Sequence, residues 1–110
     1  MTDVCVLLMT APSAEVAESI VNSLVAEKLI ACGNITMPIA SIYRWQGKTE
    51  RASEVLVIMK STAGAVGAVS RRVSELHPYE VPELLALPIL GGHEPYLEWV
   101  RASGEGSTHD

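Results

Sequence analysis

Hydrophobic and polar positions along the chain switch between two periods, and the switches mark out the elements. Residues 4–10 are a continuous apolar run closed by Thr10-Ala11-Pro12, the pattern of a buried strand. Ser13 stands where a helix N-cap is needed, and Glu15 complements the dipole of the first turn. Val16, Ile20, Leu24 and Ala31 then recur at helical spacing, with Val21, Leu29 and Ile30 widening the stripe. This helix is expected to fade near Lys28, before Ala31-Cys32-Gly33. Over residues 34–46 the period becomes two. Ile35, Met37, Ile39, Ser41, Tyr43 and Trp45 fall on one face, and Asn34, Thr36, Pro38, Ala40, Ile42, Arg44 and Gln46 on the other. Gln46-Gly47-Lys48 is a turn, and residues 53–60 return as a strand apolar on both faces, hence central. A second helix is expected from about Ala63, with Val66, Val69, Val73 and Leu76 on its buried stripe and Pro78 as its stop. Residues 84–90 supply a fourth strand, and Gly91-Gly92 leads into a short closing helix over about 96–102.

Strand-helix-strand, repeated once, is the order of an α+β ferredoxin-like β-α-β-β-α-β sandwich. Here it carries a long hairpin between the second and third strands and a short C-terminal helix. One domain is expected over residues 1–102, followed by a flexible tail over 103–110. In this fold the first and third strands are central and the second is an edge. At about 3.3 Å per residue the second strand would run roughly 40 Å against about 23 Å for the first, so the hairpin must overhang its sheet. Pro38 fits only an edge strand or a bulge. A long apolar edge invites pairing with another chain, so Ile39, Tyr43 and Trp45 are expected to be covered by a neighbouring subunit, with Trp45 as an anchor. The alternative is an arm folded back on its own chain.

Composition narrows the partners. A net charge of −5 and scattered basic residues argue against nucleic acid, and the adjacent pair Arg71-Arg72 reads as a solvated helix face. The first apolar run has no basic leader or cleavage site before it, and no run is long enough to span a bilayer, so no membrane partner is expected. Two cysteines without paired spacing point to a reducing compartment and a cytoplasmic location. With the third strand between them, Cys5 and Cys32 would lie about 9–10 Å apart. That is beyond the roughly 7 Å limit for a disulfide.

Two candidate sites follow from residue chemistry. For a metal, Cys32 is a soft ligand and His77 a borderline one, and the Met9 thioether suits Cu(I). No C-x-x-C, H-x-x-x-H or carboxylate cluster stands at ligand spacing. The alternative is that Cys32 packs as a small hydrophobe and His77 closes the helix before Pro78. For a ligand cleft the candidates are Trp45, Lys60, Tyr79 and Glu83, with Lys48 and Glu80 nearby. Lys60 is the lone cation of its apolar strand, and a carboxylate such as Glu83 beside it would keep it charged if buried. In an oligomer these groups would gather at subunit boundaries and take a small anionic or zwitterionic ligand. The alternative is a structural ion pair with Tyr79 packed over it. Catalysis is poorly supplied: His77, His93 and His109 are the only imidazoles, and no phosphate-cradling glycine loop occurs, so no enzyme and no obligatory cofactor are expected. Trp99, at helical spacing with Tyr96 and Val100, reads as core or interface packing.

Thr10-Ala11-Pro12, AEKLIACGN over 26–34, SIYRWQGK over 41–48, SEV over 53–55, Lys60, HPYE over 77–80, Pro82-Glu83 and PYLEWV over 95–100 occur in one order. Together they resemble the CutA family, the divalent-cation tolerance proteins, from residue 4 to about 102. The resemblance implies a ferredoxin-like trimer with sheets paired between subunits, similar to PII signalling proteins, and a link to bacterial tolerance of copper and other divalent metals. Some family members carry a cysteine before the Thr-Ala-Pro segment and another in the second helix, where this chain has Met9 and Arg72; it keeps Cys32. A site needing three thiols is therefore closed to it. The expected function is that of a trimeric cytosolic protein responding to copper or other divalent ions through weak metal binding. The alternative is a PII-like signalling or scaffold protein that holds a small ligand or protein partner in inter-subunit clefts.

Overall fold

The computed structural model describes residues 2–104. Its elements are β1 (Val4–Ala11), α1 (Ala14–Ala26), β2 (Cys32–Ile35), β3 (Ile39–Trp45), β4 (Lys48–Thr62), a 3-10 turn (Ala63–Ala65), α2 (Val66–Leu76), β5 (Leu84–Pro88) and α3 (Glu94–Ser103). The expected order is present, with local differences. The second strand is split into β2 and β3, β4 begins at Lys48 ahead of the expected residue 53, Pro88 ends β5 early, and α3 begins at Glu94 and takes in Ser103 from the stretch expected as tail. The rest of that tail, 105–110, lies outside the described residues.

Local chemistry sets the element ends. Ser13 Oγ accepts the Val16 N–H at 3.2 Å and so caps α1. Lys28, at φ 62°, turns the chain out of the helix. Pro78 forces His77 into extended geometry (ψ 139°) and stops α2.

All strand pairs are antiparallel, in the order β2-β4-β1-β5, so β4 and β1 are central as the expectation for the first and third strands required. Helices α1 and α2 cover one face. Leu7, Met9, Val57 and Met59 from the sheet meet Ile20, Leu24, Val69 and Val73 from the helices, all at most 2% exposed. Each such side chain contributes about 1.5–3 kcal/mol by leaving water. Arg72 is not merely solvated: its guanidinium clasps Glu27 at 2.9 Å and Glu75 at 3.1 Å, tying α2 to the end of α1. The Glu27 carboxyl is held below its ordinary pKa by that contact.

The second face of the sheet is open through its middle. Strand alternation places Val6, Leu8, Leu56, Ile58, Leu85 and Leu87 there, opposite the core positions, and Leu85 and Leu87 are exposed. Helix α3 covers only the end beside Val4, where Leu97 and Val100 pack against it and Arg101 holds Asp3 at 2.9 Å.

The split between β2 and β3 corrects the expected single face of the second strand. Ile35 stands opposite Val57, but Ile39 stands opposite Glu54. Three residues, Thr36 to Pro38, therefore oppose two, Leu56 and Val55, which is a bulge of one residue. The Thr36 side chain fills the gap, its Oγ1 accepting the Leu56 N–H at 2.9 Å while the Thr36 N–H reaches Leu56 O. Pro38 lacks an N–H and tolerates this place in the ladder. One added residue inverts the pleat. Ile35 points to the helix side with Val57, whereas Ile39, Ser41, Tyr43 and Trp45 share the open side with Glu54. Beyond the bulge, β3 pairs only with β4 as far as Trp45–Lys48, closed by Gln46 and Gly47 at φ 50° and 79°. Positive φ at both central residues is the two-residue turn whose twist suits a hairpin. The arm does not fold back: Ile42, Tyr43 and Trp45 are 69%, 46% and 58% exposed.

Strand β2 is seated directly under α1 because residue 33 is glycine. A Cβ there would stand 2.9 and 3.0 Å from the two γ-methyl groups of Val21, whose β-branched side chain has little rotamer freedom in a helix. Gly33→Ala is expected to lower unfolding free energy by about 1–3 kcal/mol. Denaturant titration checks this, and adding Val21→Ala should recover part of the loss.

Candidate ligand cleft at the root of the arm

Where the arm leaves the sheet, the open face deepens into a cavity of about 600 Å³ lined by Thr10, Tyr43, Trp45, Glu54, Tyr79 and Glu83, among others. Register explains the gathering. Thr10 and Glu54 occupy neighbouring strands on the open side, Glu83 enters β5 beside them, and the bulge turns Tyr43 and Trp45 to the same side.

Tyr79 closes the cavity and is held by His77. The His77 ring is buried, with Nε2 2.8 Å from Thr10 O and Nδ1 3.1 Å from the Tyr79 backbone nitrogen. A carbonyl only accepts and a backbone N–H only donates. The imidazole is therefore the neutral tautomer with its proton on Nε2. The two rings pack with centroids 4.7 Å apart. So placed, the Tyr79 hydroxyl donates to Glu54 Oε2 at 2.8 Å. Burial first, and then the Glu54 carboxylate, push the phenol up to about 12. It stays protonated and donating across the neutral range.

Of the expected cleft residues, Trp45, Tyr79 and Glu83 come together and Lys60 does not. Lys60 lies opposite Val6 and Cys32 at the far end of β4, where its Nζ donates to Asn34 Oδ1. It stands six residues from Glu54, about 20 Å along the strand, so the expected Lys60–Glu83 pair does not form within one chain. The carboxylate that sequence reasoning missed is Glu54, only 8% exposed. The signal was available: it is the only acidic residue of the stretch 53–60. Ile39, Tyr43 and Trp45, expected as interface residues, share one side of the arm, and Tyr43 and Trp45 also wall the cavity. The cavity is acidic, with Glu80 adding a third carboxylate and no basic residue among its walls, which counts against the anionic ligand of the expected pair, anionic or zwitterionic.

The metal candidates are dispersed. Cys32 and His77 sit at opposite ends of the sheet, since Cys32 pairs with Lys60 while His77 binds the carbonyl of Thr10. Both His77 nitrogens are engaged, and Met9 is fully buried in the core. Cys32 is half-buried, its Sγ 3.6 Å from the Tyr96 hydroxyl, and Tyr96 also packs on Trp99 at 5.7 Å. Cys5 faces the core, where burial raises its thiol pKa; both cysteines are free, with β4 between β1 and β2 as expected. Among the described residues no three His, Cys, Asp or Glu side chains converge as a metal site.

A family model, CutA1 divalent ion tolerance protein, matches residues 5–103. The chain belongs to the CutA1 family. It is 49% identical over 96 residues to the divalent-cation tolerance protein CutA of Thermus thermophilus, covering 87% of this chain and 93% of that one. It is 45% identical over 93 residues to human Protein CutA, covering 84% of this chain but only 52% of the human protein. The chain thus spans about half the length of animal relatives and nearly all of the bacterial one. Among solved structures, the Thermus thermophilus CutA1 protein superposes with a TM-score of 0.90 at 46% identity, covering 92% of this chain and 98% of that one. CutA1 from Oryza sativa superposes at 0.91 with 39% identity, covering 94% and 95%. The residues matched by the family model take in the arm, the cavity and α3.

Tyr79→Phe leaves a buried carboxylate without its donor and is expected to lower stability by about 1–2 kcal/mol at neutral pH, reduced from the full value because the phenol is only partly buried. The phenol ionises near 10 when unfolded and about 12 when folded, so its contribution is intact below pH 10 and is lost as pH rises toward 12. Parallel denaturation of wild type and Tyr79→Phe should show the gap between them closing over that interval.

Proposed function

We propose that this chain is a cytoplasmic, non-enzymatic protein of divalent-cation tolerance that works as a homotrimer and responds to copper or other divalent ions through weak metal binding. Tolerance of divalent ions is supported by the family to which the chain belongs. Assembly is supported by the open sheet face. Its half-buried Val6, Leu8, Leu56 and Ile58 continue into exposed Leu85 and Leu87, with the unpaired edge of β3 beside them. A single chain leaves this surface in water, and a second copy would cover it. No helix among the described residues is long and apolar enough to cross a membrane.

Weak binding follows from the donors. Cys32 with the Tyr96 phenol provides two, short of the four that a closed zinc site takes. A thiolate still selects a soft ion such as Cu(I), and Cys32 is the thiol that water reaches.

A second reading, a PII-like protein holding a small ligand or a protein partner in inter-subunit clefts, is favoured by one observation: the cavity at the root of the arm opens on the face that assembly would cover.

Native mass spectrometry is expected to show three 11.8 kDa chains together. Leu85→Glu, harmless to a monomer because the side chain is exposed, should release single chains. A wild-type monomer would sink the assembly proposal. Cu(I) is expected to slow the reaction of Cys32 with a thiol reagent, and Cys32→Ser should remove both the reactivity and the protection. Equal reactivity with and without copper would count against metal binding.

A further inference from the structure

Glu54 carries an unusual combination: it is more than nine-tenths buried, it lines the cavity, and its one hydrogen-bond partner among the described residues is a neutral phenol. No ion pair among the described residues includes it, and none includes Glu83, which lines the same cavity. A buried carboxylate without a counter-charge is costly, so the cavity favours a cation. The remaining walls say which kind. Tyr43, Trp45 and Tyr79 present aromatic rings, and the available volume exceeds what a bare metal ion needs. Among the described residues no three acidic side chains converge closely enough to hold a metal ion, the cavity's carboxylates included. Aromatic faces beside carboxylates suit an organic ammonium, which gains from the ring quadrupole and from the charge together.

We propose, on the ligand-cleft reading above, that this cavity takes an alkylammonium group, with Glu54 and Glu83 pairing its charge and Tyr43 and Trp45 flanking its stem. Two sources carry that chemistry: a free aliphatic amine, or the Lys60 side chain of a second copy. Lys60 lies on the same open face about 20 Å away, too far to enter its own cavity. Packing open face on open face would set one chain's Lys60 against its neighbour's carboxylates.

Calorimetric titration with 1,4-diaminobutane at matched sodium chloride ionic strength tests the proposal on wild type and Lys60→Met, with native mass spectrometry of the same samples. Saturable binding by wild type identifies a free amine as the occupant. Binding by Lys60→Met alone identifies Lys60 of a neighbouring copy. In whichever background binds, Glu54→Gln should weaken binding by at least about tenfold, and Tyr43→Leu by about two- to fivefold. Glu83→Gln, at an exposed position, serves the same purpose if Glu54→Gln fails to fold. The proposal is overturned if neither wild type nor Lys60→Met binds the diamine above the sodium control, or if the carboxylate variants bind it unchanged. Binding by a monomeric sample upholds the cation site and rejects the trimer.

Discussion

β4 is one strand asked to serve two structures, and that constraint organises the rest. Over Val55–Thr62 it is paired on both sides, by β1 and, for part of that length, by β2, and its odd-numbered side chains lie under the helices. Over Lys48–Ser53 it is paired only by β3, and both faces of the resulting ribbon meet water. A two-stranded ribbon is marginal alone, so the arm depends on its root in the sheet. The bulge at Thr36 to Pro38 joins the two regimes, because one extra residue turns the aromatic side of β3 away from the helices.

The cleft is a consequence of that joint. Without the inversion, Tyr43 and Trp45 would stand on the helix side of the sheet and the root of the arm would lack its aromatic walls. With it, the rings meet Thr10, Glu54 and Glu83 on the open side, and the segment after α2 brings Tyr79 over them. The His77 ring is the brace for that segment. Its two nitrogens join β1 to the Tyr79 backbone, and a charged imidazole, with two donors, could not satisfy both contacts. His77 thus belongs to the scaffold of the cleft, and the metal reading rests on Cys32 alone, at the far end beside α3.

Across the open face, polarity changes in order. The half-buried Cys32 and Lys60 lie at the α3 end, aliphatic side chains fill the middle, and carboxylates with aromatic rings lie at the arm end. Opposite charges at opposite ends of one apolar surface would give the proposed packing of two copies a particular orientation.

Period and punctuation in the sequence determined the element order, the central place of β1 and β4, the caps at Ser13 and Pro78, the arm and its apolar character, and the family. These rest on neighbours in the chain, where pattern and backbone geometry are directly linked. Two things were legible only in part. Pro38 announced a bulge or an edge, but the flip of the pleat required knowing that Ile39 pairs with Glu54, a register set by both strands together. Lys60 and Glu83 were sound choices by residue type, yet their separation is a matter of position along the strands, which composition does not carry. Tertiary structure alone decided that Glu54 is buried, that Tyr79 serves it, and that the cleft lacks a cation, because each depends on segments remote in sequence meeting at one end of a sheet.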